Sequence, residues 1–435
     1  MKFYSSFFFI GLVLLLTACD EPLEQTFVRT DIDHFWEAYD QITATSDTIE
    51  QARLLEELYL KKASPGLEAL MEVRNYTPEE YLAAIKDHPK FWASVRQQTL
   101  AVESHYPAIK ANIQKLKKAY PSLQPAPIYF SIGAFRTNGT VHEGKVLMGS
   151  ELALADEQAV IDELPEWRQP FFEASVPVDG LPLLCTHEYI HTQQQELQYY
   201  LLAMCMYEGV AEFISCLATD TPSTVPAIAF GKANEERVIR LFIQDMFSNS
   251  NTYNWMWGQN RNELEVRDLG YYVGYEISER HYNNATDKAA AIKELIEFDY
   301  SDEVALAQLV DATNLLPAPV ATLESAYEAS RPTVVEIGPF ANGAQDVPAS
   351  TKEITVRFSE TLSGYHAGID YGPDGEDLLP AMDPAGREWM PDSLGYKLAV
   401  DLEPGRKYQF TISSNFRTPI GTRLQPYVIE FHTVE

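Results

Sequence analysis

The spacing of hydrophobic positions changes three times along the chain, and each change predicts a different kind of element. From Asp31 to about Tyr120 apolar residues recur at helical intervals, as at Leu54, Leu55, Leu58 and Leu60 and again at Tyr81, Leu82 and Ile85, with Pro65-Gly66 and Pro89 as breaks. This stretch predicts a helical bundle. Pro127 to Gly133 and Lys145 to Gly149 are strand-like runs separated by the turn-rich segment Arg136 to Gly144, which predicts a small antiparallel sheet. From Leu181 to about Leu316 the helical period returns, interrupted by a loop at Thr219 to Pro226 and an Asn/Ser-rich stretch from Ser248 to Asn254. After Arg331-Pro332 the period drops to two, in Glu353 to Phe358, Tyr396 to Val400 and Tyr408 to Ile412, with Gly/Pro turns between them. The expected fold class is multidomain: an α-rich α+β domain over residues 31–330 with a small edge sheet, followed by an all-β sandwich over residues 331–435.

The first residues form a separate case. Lys2 precedes the apolar run Phe7 to Leu16, which is too short to span a bilayer as an ordinary helix and predicts a signal peptide. It ends in Leu16-Thr17-Ala18-Cys19, which resembles a bacterial lipobox, whose cysteine takes the lipid and becomes the mature N-terminus. That resemblance implies residues 1–19 as leader, Cys19 as the lipidation site, residues 20–30 as tether and the bacterial cell envelope as location, outer membrane or cell surface rather than inner membrane. Membrane contact is expected through this anchor alone, with no transmembrane helix in the mature chain.

With 435 residues, 46% hydrophobic and 22% charged, the chain can bury large cores. A formal charge of -30 with no basic cluster excludes nucleic acid and anionic membrane faces as partners. Beyond Cys19 only Cys185, Cys205 and Cys216 remain, without metal-knuckle spacing. Cys205 and Cys216 lie on one expected helix about 16 Å apart, too far to bridge, so buried free thiols are expected.

Candidate chemistry concentrates in His187-Glu188-Tyr189-Ile190-His191, an H-E-x-x-H pattern. Residues four apart project from one helix face, so both imidazoles can reach a single zinc ion. Glu188, offset by one, stays beside the metal without ligating it, where it can take a proton from a water and hand it to a leaving amine. In a chain with nine histidines this pattern arises by chance with a probability of roughly one or two per cent. Two histidines and a glutamate could also fill ordinary hydrogen-bonding roles on a buried helix.

A third ligand is needed. Tyr207-Glu208-Gly209-Val210-Ala211-Glu212-Phe213 resembles the E-G-x-A-x-aromatic helix of gluzincin peptidases, where the first glutamate binds zinc. The resemblance implies Glu208 as zinc ligand and Glu212 as the acid that hydrogen-bonds a ligand histidine; the two could exchange places. A solvated acidic helix face is the bland alternative. On one straight helix His191 and Glu208 would lie about 25 Å apart, so a turn is expected near Gln195 to Tyr199, although no Gly or Pro forces it.

Arg267-Asp268-Leu269-Gly270-Tyr271-Tyr272-Val273-Gly274-Tyr275 offers two glycines for close helix packing, and Tyr271 and Tyr275 on one face as candidates to stabilise an oxyanion. The G-Y-x-x-G-Y pattern is similar to that of predicted zinc-dependent peptidases of the gliding-motility-lipoprotein group. His281 reads as a surface residue. The runs at Ile128 to Ile132 and Val146 to Met148 suit an edge strand binding extended substrate beside the active helix, or a plain structural hairpin. The words Phe340-Ala341-Asn342-Gly343-Ala344, Arg357-Phe358-Ser359, Leu402 to Tyr408 and Glu430 to Thr433 resemble bacterial Ig-like domains. Taken together, these resemblances imply a zincin-like, Zn2+-dependent metallopeptidase acting on a peptide or protein substrate, with Glu188, Tyr271 and Tyr275 catalytic and His187, His191 and Glu208 on the metal. The alternatives are a zinc-binding but catalytically silent envelope lipoprotein serving as a binding or assembly module, and a scaffold without metal.

Overall fold

The computed structural model describes residues 24–166, 168–169, 172, 176–196, 199–248, 251–258 and 263–435. The expected leader and Cys19 lie outside them. The architecture is mixed, helices up to Ser330 and several small sheets, and chain contacts divide it into two compact units. One comprises Met1–Gln194, Ala211–Thr224 and Ala289–Glu297; the other comprises Gln195–Val210, Val225–Lys288 and Phe298–Glu435.

In the first unit the helical period of the N-terminal half produces helices Thr30–Thr43, Thr48–Leu58, Pro65–Arg74, Pro78–Asp87, Pro89–Leu100 and Tyr106–Ala119. Their starts are written locally. Asp47 and Ser64 accept hydrogen bonds from the first free amides of their helices, and Thr77 with Glu80 forms a reciprocal capping box. Proline in the first turn of four of the six fixes φ where no amide partner is lost. Phe35, Tyr59, Phe91 and Trp92 are fully buried and meet largely edge to face. Asp31, also fully buried, accepts from the Ser64 amide and hydroxyl and from Ser131 Oγ, tying two helices to the sheet.

The sheet departs from the expected antiparallel pair. Its order is β1 (Phe27–Val28), β2 (Ile128–Ser131), β4 (Lys145–Gly149), β3 (Gly139–His142), with β1 and β4 both parallel to β2. The hairpin is β3–β4, closed by Glu143 and Gly144 at φ 47 and 70, the pair of left-handed residues that a two-residue turn requires. Thr140 and Val141, inside the segment read as turn, supply its strand character. Consequently β2 and β4 are inner strands, and the edges are β1 and β3. Phe27–Val28, within the stretch expected as tether, is itself a strand, with Phe27 stacked on Tyr106. Helix Pro177–His191 packs on β3, β4 and helix Tyr106–Ala119, and the Ala126 amide donates to Tyr189 Oη at 2.7 Å.

The second unit contains helices Pro226–Ala233, Glu235–Asp245, Thr252–Met256, Leu269–Asn284, Glu303–Thr313 and Val320–Ser330, then strands β5 (Val334–Gly338), β6 (Glu353–Phe358), β7 (Ile369–Tyr371), β8 (Ala381–Trp389), β9 (Gly395–Asp401), β10 (Lys407–Ile412) and β11 (Tyr427–His432). The strands form two sheets, β5-β6-β9-β8 and β11-β10-β7, over one apolar core that includes Val356, Phe358, Leu398, Phe410, Ile429 and Phe431. The three alternating runs seen in the sequence are β6, β9 and β10; in β6 every second residue is buried.

In the same unit Gly209 and Gly274 bring the start of helix Leu201–Thr219 against helix Leu269–Asn284. A Cβ on Gly274 would lie 1.7 Å from the Cys205 carbonyl oxygen, and one on Gly209 would lie 2.2 Å from the Gly274 carbonyl carbon. On helix propensity alone Gly274→Ala would stabilise by about 1 kcal/mol. Separating two packed backbones costs about 1–3 kcal/mol, so the expected net effect in urea unfolding is destabilisation, and an Ala variant as stable as the parent or more so contradicts this packing.

Candidate metal centre

Helix Pro177–His191 starts on proline and carries a second one, Pro182, whose carbonyl accepts from Thr186 Oγ1 at 2.7 Å. From Cys185 to His191 every residue is buried, the signature of a helix in the middle of a core. His187, Glu188 and His191 are 5%, 7% and 6% exposed, so each polar group must find its partner inside the protein.

The two imidazoles do so in a directional way. His187 Nδ1 lies 3.0 Å from Glu212 Oε2, and His191 Nδ1 lies 2.6 Å from Gln194 Oε1. Carboxylate and carbonyl oxygens accept, so both Nδ1 atoms are the donors, and in the neutral ring each Nε2 is the atom that can ligate a metal. These Nε2 atoms face one another at 3.1 Å. A tetrahedral ion bound at about 2.05 Å would set its ligand atoms about 3.3 Å apart. The donor chemistry therefore fits a cation between the rings.

The chain reaches the third ligand by ending the helix. Helix Pro177–His191 stops at His191, Thr192 and Gln193 bond back to Tyr189 and Ile190, and the next helix, Leu201–Thr219, begins nine residues beyond Thr192. Polar side chains replace a glycine or proline as the stop: Gln193 accepts from the Gln124 amide and donates to Thr192 Oγ1, while Gln194 holds His191. Ligand atoms of His187, His191 and Glu208 all lie within 4.8 Å of one another, a buried group that could hold a metal ion.

Glu212, one turn beyond Glu208, is 4% exposed and sits on the far side of the His187 ring. Burial pushes its carboxyl up, but the interaction with His187, with help from Ser223 Oγ and Cys216 Sγ, outweighs burial and leaves it below the usual carboxylate range. With a folded pKa below the unfolded one, ionised Glu212 stabilises the fold above the unfolded value, and that contribution is lost as pH falls through the folded value.

The other candidates are placed as follows. Glu188 points toward β3: a Cβ on Gly139 would lie 2.7 Å from Glu188 Oε1. Cys185, three residues earlier, is a free buried thiol pushed well up by burial and by the Glu188 charge, so it packs as a neutral group; Cys205 and Cys216 are also free and buried. Tyr271 and Tyr275 lie on one face of helix Leu269–Asn284, Tyr271 half-buried and Tyr275 9% exposed with Lys232 Nζ 4.9 Å above its ring. Neither belongs to the three-residue group. Sequence reasoning missed Gln194, Ser223 and Gly139. Gln194 carried a signal, since it follows His191 by three in a polar run that stops the helix; Ser223 carried none, because only the return of the loop after Thr219 brings it to Glu212.

No protein-family model matches this chain, and no curated protein matches it. Among solved structures, CopC from Methylosinus trichosporium OB3b is similar at 16% identity with a TM-score of 0.19, over 24% of this chain and 94% of that one. The S-layer protein rSbsC(31-844) is similar at 12% identity and a TM-score of 0.17, over 92% of this chain and 44% of that one. A second surface layer protein structure, SbsC domains 1-6, gives 14%, 0.18, 93% and 45%. This chain thus spans less than half the length of either S-layer structure, and likenesses this slight assign neither fold nor family.

Proposed function

We propose that the chain is a zinc-dependent hydrolase of the gluzincin type, acting on peptide bonds in the bacterial cell envelope. The observation that carries the reading is the pair of Nε2 atoms 3.1 Å apart, each ring locked by an acceptor on its Nδ1, with the Glu208 carboxylate beside them. His187, His191 and Glu208 would hold the ion, the two-histidine, one-carboxylate set of catalytic rather than structural zinc, with a position left for water. When bound, zinc supplies a Lewis acid that lowers the pKa of water toward about 7.

The remaining work falls to the chain. Glu188 receives the proton of the attacking water on a carboxylate oxygen and delivers it to the departing amine. Glu212 and Gln194 hold the rings in the tautomer that presents Nε2. β3, the outer strand packed on the active helix, offers its free edge to an extended peptide, which would add as a further strand. Tyr271 and Tyr275 are the phenols proposed to donate to the oxyanion. The two-sheet unit at residues 334–432 fits the proposed Ig-like module as a spacer, and Cys19 fits the proposed lipid anchor.

A catalytically silent zinc protein would share every ligand but has no use for Glu188, so the test separates metal from chemistry. Purified residues 20–435 should contain about one zinc per chain. His187→Ala should lose it; Glu188→Gln should keep it and hydrolyse no member of a quenched fluorescent peptide library that the parent cleaves. Zinc content unchanged in His187→Ala removes the reading. In a second experiment Glu212→Gln should weaken zinc about 10–100-fold in competition with a chromogenic chelator; affinity within about threefold of the parent would show that His187 does not depend on that carboxylate.

A further inference from the structure

Gly139 stands where any other residue would drive a side chain into the proposed general base. A Cβ there would lie 2.7 Å from Glu188 Oε1, 2.8 Å from Cγ and 3.0 Å from Cδ, the first two closer than real Cβ atoms come. The backbone gives no reason for the glycine, because Gly139 is not among the residues with positive φ and sits in a regular strand. In a strand Ala is otherwise favoured over Gly, whose backbone loses more freedom on folding. What the position requires is the absence of a side chain.

The strand cannot retreat to make room. Behind it β4 fixes the register, with Gly139 opposite Met148 and the Gly149 amide donating to the Asn138 carbonyl at 3.0 Å. Thr137 Oγ1 donates to the Gly139 carbonyl, and Arg74 Nη2 in turn donates to Thr137 Oγ1 at 3.0 Å. Gly149 closes the set: the Thr137 carbonyl oxygen lies 2.0 Å from where a Cβ on Gly149 would be, so the backbone leading into β3 comes close against the end of β4. An added methyl at residue 139 must therefore be relieved by Glu188.

We infer that Gly139 is a positioning residue for the proposed hydrolysis: its missing side chain sets how far the Glu188 carboxylate extends beside edge strand β3. The inference rests on the reading of Glu188 as general base, yet it has a signature that needs no substrate. Gly139→Ala should lower the melting temperature by several degrees in the parent and leave it within about one degree when Glu188→Ala has removed the obstructing carboxylate, a coupling expected only of residues in contact. Equal losses in both backgrounds would place the clash elsewhere and overturn the inference.

With the quenched peptide library as probe, zinc-loaded Gly139→Ala should retain the parent's metal content and lose kcat about a hundredfold, the scale of an ångström-sized misplacement, with KM nearly unchanged. Combined with Glu188→Asp, the two losses should fall short of multiplying, since both act through one carboxylate. Turnover within about threefold of an active parent overturns the role of Gly139 and leaves the hydrolase standing. Loss of zinc in Gly139→Ala also overturns it, by showing that the residue serves the metal group. A zinc-loaded parent that cleaves nothing overturns the hydrolase itself, and this inference with it.

Discussion

Two imidazole Nε2 atoms held 3.1 Å apart inside a protein are the constraint around which this chain is arranged. Neither ring can turn, because Glu212 occupies the Nδ1 of His187 and Gln194 that of His191, and both rings are buried. The surrounding contacts act to keep the arrangement fixed. Tyr189 pins the helix to the segment leading into β2, Ser223 and Cys216 steady Glu212, and the glycine contact with helix Leu269–Asn284 fixes the start of the helix that carries Glu208.

How much of this was legible in the sequence depends on how local the information is. The four-residue spacing of His187 and His191 is a property of one helical turn, and the period of two in β6, β9 and β10 belongs to each strand alone; both could be read directly. The packing role of Gly270 and Gly274 was legible for the same reason, since small residues four apart mark one face; a Cβ on Gly270 would lie 2.3 Å from Met256 Sδ. The break between the two ligand helices was inferred from the need to fold back, but its agents, Thr192, Gln193 and Gln194, are ordinary helix residues whose stopping power comes from partners that include Gln124. Sheet pairing was misread because strand direction is decided by what lies between strands. β3 was hidden in a turn-rich segment, and once it takes the antiparallel place beside β4, β2 is left to pair with β4 in parallel.

Helix Leu201–Thr219 shows how site and fold determine each other. It is long and apolar enough to cross a membrane by length and composition, yet most of it is buried within the protein. Its two carboxylates, Glu208 and Glu212, account for the difference, since an isolated carboxylate in an apolar setting costs several kcal/mol and each needs a partner that only the folded chain provides. For Glu212 the partner is the His187 ring; for Glu208 it is the group it forms with His187 and His191. The helix is thus apolar enough to be a core element and carries two acids that make the core specific to one arrangement. A cation held by the two rings and Glu208 would offset the carboxylate's charge, so its binding energy would add to the stability of the same helices that build its site. The apolar residues of the helix and its paired acids thus serve one end: burial stabilises the core, and it gives each acid its partner only in the folded chain.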